Sequence, residues 1–136
     1  MAERVVTRAF IKDNENRVLI GLRTKERKWS LIGGKPNSDE SPEDALLREV
    51  REELGRDLNN LVFYLNHTNN MNPEDPWTTY YFTGDITGEV TLQTEEILEV
   101  RYVGPNNIDN LDFAFDHKER LEDFFYNSNN VTGTSN

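Results

Sequence analysis

The stretch from Gly33 to Leu58 constrains the fold more than any other part of the chain, because it holds a glycine pair and a helix with both ends marked. Ser41 can cap a helix through its hydroxyl group, and Pro42 fits the first helical position. Gly55 is the residue type that most commonly ends a helix in the left-handed conformation. The sequence therefore predicts a glycine-rich loop followed by a helix between Ser41 and Gly55.

The predicted helix carries an apolar stripe and an acidic stripe. The apolar side chains that can pack on a sheet are Leu46, Leu47, Val50 and Leu54. Glu49, Glu52 and Glu53 follow i, i+3, i+4 spacing, so their carboxylates are neighbours and repel one another. Such a stripe is either a solvated surface or a set of oxygen ligands for a hard cation such as Mg²⁺ or Mn²⁺. The helix alone leaves both interpretations open.

The order of residues across this stretch resembles the Nudix box, G-x5-E-x7-R-E-U-x-E-E-x-G-U, where U is a bulky aliphatic residue. Gly34, Glu40 and the segment 48–55 match every fixed position before the last one. That last aliphatic position is Arg56, and Leu58 can do its packing. By this resemblance the chain is identified as a member of the Nudix hydrolase family. The resemblance implies an α/β (α+β) fold, an α/β/α sandwich with a mixed β-sheet.

The resemblance also implies roles for the residues of the box. The expected cofactor is Mg²⁺ or Mn²⁺, held by the side chains of Glu52 and Glu53 and by the carbonyl group of Gly33. Glu49 would be a further metal ligand or the base that orients the attacking water. Arg48 would pair with a carboxylate and fix the helix. The predicted catalytic residues are Arg48, Glu49, Glu52 and Glu53.

One more carboxylate is expected from the segment 95–103, since family members commonly add one from this part of the chain. Alternation along a strand puts Glu96 and Glu99 on opposite faces, and the sequence does not choose between them or exclude Glu95. We take Glu96 as the added metal ligand. Glu99 is expected to support the ligands without contacting the metal itself. Glu40 is expected to support the glycine loop, also without contacting the metal.

Candidate substrate-binding residues lie outside the helix. Arg23 ends a predicted strand, where Nudix relatives often place a cation that holds phosphate, and Gly34 lets backbone approach the substrate. Phe113 or Asp116 is expected to line a base pocket, although Asp116 can instead cap the closing helix. The two histidines, His67 and His117, have no second ligand at metal spacing and are interpreted as non-catalytic.

The rest of the chain predicts a sheet flanked by helices. Strands are predicted over 5–12, 17–22, 61–67, 77–85 and 95–103, with a short strand leading into the glycine pair and a closing helix over 116–126. Residues 1–126 are expected to form a single domain. Residues 127–136 are polar and are predicted to be a disordered tail.

Composition limits the partners of the chain. Its formal net charge is −10, which argues against nucleic acid as the main partner. A small phosphorylated substrate would need metal ions to offset the same repulsion. The chain has no cysteine, hence no disulfide or thiol nucleophile, and no segment of membrane-spanning or signal-peptide character. A cytoplasmic protein without a membrane partner is expected.

The resemblance implies metal-dependent hydrolysis of a pyrophosphate bond in a nucleoside diphosphate linked to another moiety. In enzymes of the family that this chain resembles, a proline in the segment after the box marks ADP-ribose-type specificity, and Pro73 in that segment slightly favours ADP-ribose or a nucleotide sugar. The first alternative is pyrophosphohydrolysis of an oxidised nucleoside triphosphate. The second, from another class, is a non-catalytic module that senses a nucleotide. All three predict a small nucleotide ligand, and the sequence leaves a homodimer open.

Overall fold

A computed structural model describes the backbone of residues 4–134 and the side chains as far as residue 128. The elements follow in the order β1 (Arg4–Ile11), β2 (Val18–Arg23), β3 (Trp29–Gly34), α1 (Pro42–Leu54), β4 (Asn59–Asn69), β5 (Trp77–Asp85), β6 (Ile97–Val103) and α2 (His117–Thr134). No helix within residues 4–134 is both long enough and apolar enough to cross a membrane.

The six strands form one mixed sheet in the order β4-β5-β1-β3-β2-β6. β1 runs parallel to β5 and antiparallel to β3, with Arg4 paired to Trp77 and Arg8 paired to Gly33. The other strand pairs are antiparallel. β1 is therefore a central strand that joins the β2–β3 pair to the β4–β5 pair.

Alternating side chains divide the core between the two faces of the sheet. Phe10 packs with Leu121 and Phe124 of α2 on one face, whereas Ala9 packs with α1 on the other. The α1 residues buried there are Leu46, Val50 and Leu54. A helix on each face of a mixed sheet confirms the predicted α/β/α sandwich.

The helix that the sequence predicts between Ser41 and Gly55 is α1. The Ser41 hydroxyl accepts a hydrogen bond from the Asp44 amide at 3.1 Å. Gly55 has a left-handed φ of 66° and donates to the Arg51 carbonyl at 2.9 Å. Leu58 is buried in the α1 core cluster, so it supplies the packing that Arg56 cannot. Arg56 instead donates to the Glu89 carbonyl.

The closing helix differs from its prediction at both ends. It begins at His117 rather than Asp116 and continues to Thr134 rather than ending at Tyr126. The segment predicted as a polar tail, 127–136, is therefore helical backbone over 127–134. Residues 135 and 136 lie outside the described residues. The disorder of this segment and the domain boundary at residue 126 remain predictions.

Candidate functional site

A cavity of about 650 Å³ opens where α1, β1, β3 and the start of β5 meet the turn before α2. Its acidic wall consists of Glu49, Glu52 and Glu53 of α1. Its aromatic wall consists of Trp77 and Phe115. Charged and aromatic surfaces thus face a single space, which is large enough for a nucleotide-sized ligand.

Glu53 is the most buried member of the acidic wall, with 7% of its surface exposed. One carboxylate oxygen accepts a hydrogen bond from the Gly33 amide at 3.3 Å. Burial and, to a smaller extent, the neighbouring Glu49 carboxylate raise the pKa of Glu53 to about 8. Burial also raises the pKa of Glu49. Both carboxylates would become easier to ionise if a positive charge lay between them.

Arg48 lies behind the acidic wall and ties it to the glycine loop. Its guanidinium donates to Glu40 at 2.7 Å, to Glu49 at 3.0 Å and to Glu52 at 3.3 Å. It also donates to the Lys35 carbonyl at 3.1 Å. The hydrogen bond from Arg48 holds the pKa of Glu40 at about 2, far below its ordinary value. Arg48 and Glu40 therefore form the link that keeps the loop against α1.

Two glycines make this approach of loop and helix possible. Gly33 has a φ of 148°, and a Cβ atom there would lie 2.0 Å from the Thr7 carbonyl oxygen. A Cβ atom at Gly34 would lie 2.6 Å from the Glu49 carboxylate carbon. Any side chain at Gly34 would occupy the space in front of Glu49. The glycine pair thus keeps the acidic wall accessible.

The donor set of the acidic wall fits a hard divalent cation. The oxygens of Glu49, Glu52 and Glu53 are of the type that Mg²⁺ and Mn²⁺ prefer. Burial raises the pKa of Glu49 and Glu53, and a nearby cation would offset that cost of ionising them. Within the described part of the chain, no three His, Asp or Glu side chains are already arranged as a metal site. The Gly33 carbonyl accepts a hydrogen bond from Arg8 at 3.2 Å.

Arg8, which the sequence analysis does not single out, reaches the cavity from β1. It is 7% exposed, and its Nη1 atom donates to the carbonyl groups of Leu31 at 3.0 Å and Gly33 at 3.2 Å. Its Nε atom has no hydrogen-bond partner. The sequence offers a weak signal, because Arg8 directly precedes the apolar run Ala9, Phe10 and Ile11 in the same predicted strand.

The aromatic wall is held together by ring contacts. Trp77 and Phe115 meet edge to face, with ring centroids 6.1 Å apart. Arg4 lies over the Trp77 ring at 5.9 Å, and Arg8 lies 5.9 Å from the Phe115 centroid. Phe115 is 50% exposed and has a left-handed φ of 56°, which is costly for a residue with a side chain. A flat ligand group can stack against such a surface.

His117 lies beside the aromatic wall as a neutral ring. The Leu31 amide donates to its Nδ1 atom at 3.0 Å, so the ring proton is on Nε2. Burial lowers the pKa of His117 well below its ordinary value, and the Arg8 charge acts in the same direction. The predicted lack of a metal role for the two histidines is untested, but His117 does line the cavity.

Several predicted site residues also line the cavity. Beyond the acidic wall, they are Arg23, Gly33, Gly34 and Glu96, and Glu95 lines it as well. The Arg23 guanidinium is paired with Glu26 at 2.9 Å.

Other predicted residues lie elsewhere. Glu99 does not line the cavity and pairs with Arg101 at 3.0 Å. Phe113 packs against the α2-side core, and buried Asp116 lies 3.7 Å from Arg120. Neither Phe113 nor Asp116 lines the cavity, where the structure has Phe115 and His117 instead.

The family model for the NUDIX domain matches residues 2–124. An RNA pyrophosphohydrolase of Gluconacetobacter diazotrophicus is 28% identical over 118 residues, which cover 76% of this chain and 65% of the relative. An 8-oxo-dGTP diphosphatase of Proteus vulgaris is 39% identical over 57 residues, which cover 39% of this chain and 51% of the relative. The chain thus spans less than two thirds of either curated relative.

Among solved structures, the NUDIX domain of Shewanella oneidensis NrtR, complexed with ADP ribose, superposes with a TM-score of 0.74 at 21% sequence identity. The match covers 90% of this chain and 86% of that one. At this level of identity the likeness concerns the fold. It agrees with the arrangement of sheet and helices described above.

Proposed function

Because the chain belongs to the NUDIX domain family, we propose that it is a hydrolase that cleaves a pyrophosphate bond in a small nucleotide. The leading substrate class is a nucleoside diphosphate linked to another moiety, such as ADP-ribose or a nucleotide sugar. One observation carries the proposal: a single cavity brings together the acidic wall, cationic side chains and the aromatic wall. These surfaces match the metal, phosphate and base parts of such a ligand.

The proposed cofactor is Mg²⁺ or Mn²⁺. The residues that would hold it are those of the acidic wall, Glu49, Glu52 and Glu53, with the Gly33 carbonyl and with Glu96 from across the cavity. When bound, a divalent cation neutralises phosphate charge and makes a water molecule more acidic. Comparing product formation with Mg²⁺ and with Mn²⁺ distinguishes the two metals.

The side chains of the protein itself would bind and orient the reactants. The aromatic wall would stack on the base, which fixes the nucleoside end of the substrate. Arg23 would leave its pair with Glu26 to contact phosphate, as an exposed pair can do at small cost. A carboxylate of the acidic wall would accept the proton of the attacking water, with Glu49 the proposed base. Arg48 would keep that carboxylate in place, since it donates to Glu49 and Glu40.

ADP-ribose is supported by the fold likeness to a domain whose structure contains that ligand. Pro73, the sequence feature that favours it, is exposed in the loop between β4 and β5 and does not line the cavity. An oxidised nucleoside triphosphate is the second candidate. Its support is the relative described as an 8-oxo-dGTP diphosphatase, which matches 39% of this chain.

A substrate panel with product analysis tests the proposal. The protein is incubated with ADP-ribose, nucleotide sugars, dinucleoside polyphosphates and nucleoside triphosphates, each with Mg²⁺, with Mn²⁺ and with EDTA. We expect a nucleoside monophosphate as product with a divalent cation and none with EDTA. Binding without product across the whole panel would contradict hydrolysis and would favour a nucleotide sensor.

A further inference from the structure

The side chain of Arg8 is a buried positive charge with no carboxylate at ion-pair distance among the described residues; Glu53 and Glu49 attract it only from farther away. It extends from the central strand β1 into the cavity and is 7% exposed. Within residues 4–128, no carboxylate oxygen lies within 4.0 Å of its guanidinium nitrogens, since none of the ion pairs includes Arg8. Burying a charge without a counter-charge is costly, so such a group needs an explanation.

The hydrogen bonds of Arg8 are incomplete as well. Only Nη1 has partners, the carbonyl groups of Leu31 and Gly33, whereas Nε has none. A guanidinium group has five N–H donors in a planar fork, which suits the oxygens of a carboxylate or a phosphate. Among the described residues Nη2 has no partner either, and Arg8 lines the cavity, so these N–H groups are available to a ligand there.

Two half-buried arginines show the arrangement that Arg8 lacks. Arg48 donates to three carboxylates, and Arg120 lies 3.1 Å from Asp123 and 3.7 Å from Asp116. Like Arg8, Arg120 has an Nε atom without a hydrogen-bond partner, yet its charge is balanced by these two carboxylates. Arg8 lacks such a contact pair, and the more distant Glu53 and Glu49 do not offset its burial, which lowers its pKa.

The position of Arg8 indicates which part of a ligand would meet it. Its Nη1 atom lies 3.2 Å from the carbonyl oxygen of Gly33, whose amide donates to Glu53 of the acidic wall. Its guanidinium carbon lies 5.9 Å from the ring centroid of Phe115 in the aromatic wall. A group bound to Arg8 would thus lie between the base and the bond that is cut.

We propose that Arg8 binds the phosphate group attached to the nucleoside, and that this phosphate is the counter-charge missing from the structure. The identity of the ligand rests on the proposed function, whereas the need for an anion at Arg8 does not. The substrate would then be oriented with its base at the aromatic wall and its second phosphate at the acidic wall.

The test compares ligands that differ only by one phosphate. Dissociation constants are measured for AMP against adenosine and for GMP against guanosine, without divalent cations, by calorimetry or through the intrinsic fluorescence of the two tryptophans, of which Trp77 lines the cavity. We expect the wild-type protein to bind at least one monophosphate about tenfold or more tightly than its nucleoside. In Arg8→Met this gain should fall to about twofold or less, and in Arg8→Lys it should be intermediate because the charge remains but the fork is lost.

Thermal stability provides the second readout. If the charge of Arg8 serves a ligand, Arg8→Met should leave the Tm of the ligand-free protein unchanged or raise it. The matched control is Arg120→Met, which removes a paired arginine outside the cavity. It should lower Tm, because buried Asp116 loses its arginine partner and keeps only His67 beside it, and should leave the phosphate gain unchanged.

The outcomes separate this proposal from the proposed function. A phosphate gain that persists in Arg8→Met, or no gain in the wild-type protein for either pair, would overturn the role of Arg8. So would a Tm that falls by many degrees in Arg8→Met and also in Arg8→Lys, since the carbonyl contacts would then explain the burial. If the gain depends on Arg8 but the protein hydrolyses none of the substrates, the role of Arg8 in phosphate binding is supported. Only the proposed hydrolysis is then contradicted.

Discussion

The excess charge at the acidic wall of the cavity is negative, whereas the excess charge beside the aromatic wall is positive. In the acidic wall, negative charge is in excess: Arg48 donates to Glu49 and Glu52, and Arg8 attracts Glu49 and Glu53 only from beyond contact distance. Beside the aromatic wall, Arg8 is a buried cation among rings and carbonyl groups, next to a neutral His117. One wall would be stabilised by an arriving cation and the other by an arriving anion. A metal–nucleotide complex supplies both charges at once.

The largest expected effect comes from the buried carboxylate of the acidic wall. Glu53→Gln keeps the shape of the side chain but removes its charge. If this wall acts through its charge, kcat should fall by a hundredfold or more, on the order expected for loss of a positioned acid–base or charge-stabilising group. Steady-state kinetics with a matched circular dichroism spectrum checks the result. Near-normal turnover would contradict a catalytic role for the charge of the acidic wall.

A smaller effect is expected when the support of the acidic wall is removed. Arg48→Met breaks the bonds to Glu40 and Glu49, so Tm should fall by a few degrees and kcat/KM by about tenfold, since misplacement of a reacting group lowers the rate. The control is Arg51→Met on the same helix, whose exposed side chain pairs with Asp57. Equal losses in both variants would show that charge on α1, rather than the position of Arg48, is what matters.

The aromatic wall should respond in binding rather than in stability. Phe115→Gly removes the ring at a position with a left-handed φ of 56°, which glycine adopts without strain. We expect KM to rise severalfold, with little change in kcat or in Tm. Phe115→Asn, which also tolerates this conformation, should behave alike, and Tyr126→Ala is the control for loss of an exposed ring. An unchanged KM would contradict a role of the aromatic wall in substrate binding.

The smallest effect is a pH dependence. Because burial holds the pKa of His117 well below its ordinary value, the unfolded chain takes up a proton below about pH 6.5 that the folded protein does not. His117 by itself should therefore lower the free energy of unfolding toward acid pH, by at most about 1.4 kcal/mol per pH unit, whereas Glu53, with a folded pKa of about 8, contributes a slope of opposite sign. His117→Asn, which can still accept from Leu31, should remove only the His117 contribution, so its free energy of unfolding should rise toward acid pH relative to the wild-type protein when both are measured by urea unfolding between pH 7.5 and 5.5. His67→Asn is the control, and an identical slope in all three proteins would contradict a buried neutral ring.

The two walls also differ in how far the sequence predicts them. The acidic wall lies within one helix, where i, i+3, i+4 spacing fixes which side chains are neighbours, and Ser41 and Gly55 mark its ends. Its members could therefore be predicted together. The resemblance to the Nudix box, confirmed by the match over residues 2–124, added the glycine loop and Glu40.

The aromatic wall could not be predicted in the same way, because it is assembled from distant segments. Trp77 reaches Arg4 only through the parallel pairing of β1 with β5. The turn before α2 was expected to present Phe113 and Asp116, but the left-handed backbone at Phe115 changes which side chains face the cavity. Neither strand pairing nor a single unusual dihedral angle can be derived from local periodicity.

The pairing of β1 with β5 has a consequence for biosynthesis. Contacts between β2, β3 and α1 join segments that are near in the chain, and they can form early. The β1–β5 ladder must instead close a long loop, at a cost in chain entropy, and it cannot begin until Trp77 has left the ribosome. A nascent chain that ends before that point would carry the complete acidic wall on α1 but no pocket. Nucleotide should therefore protect only chains that have been translated past β5 against proteolysis.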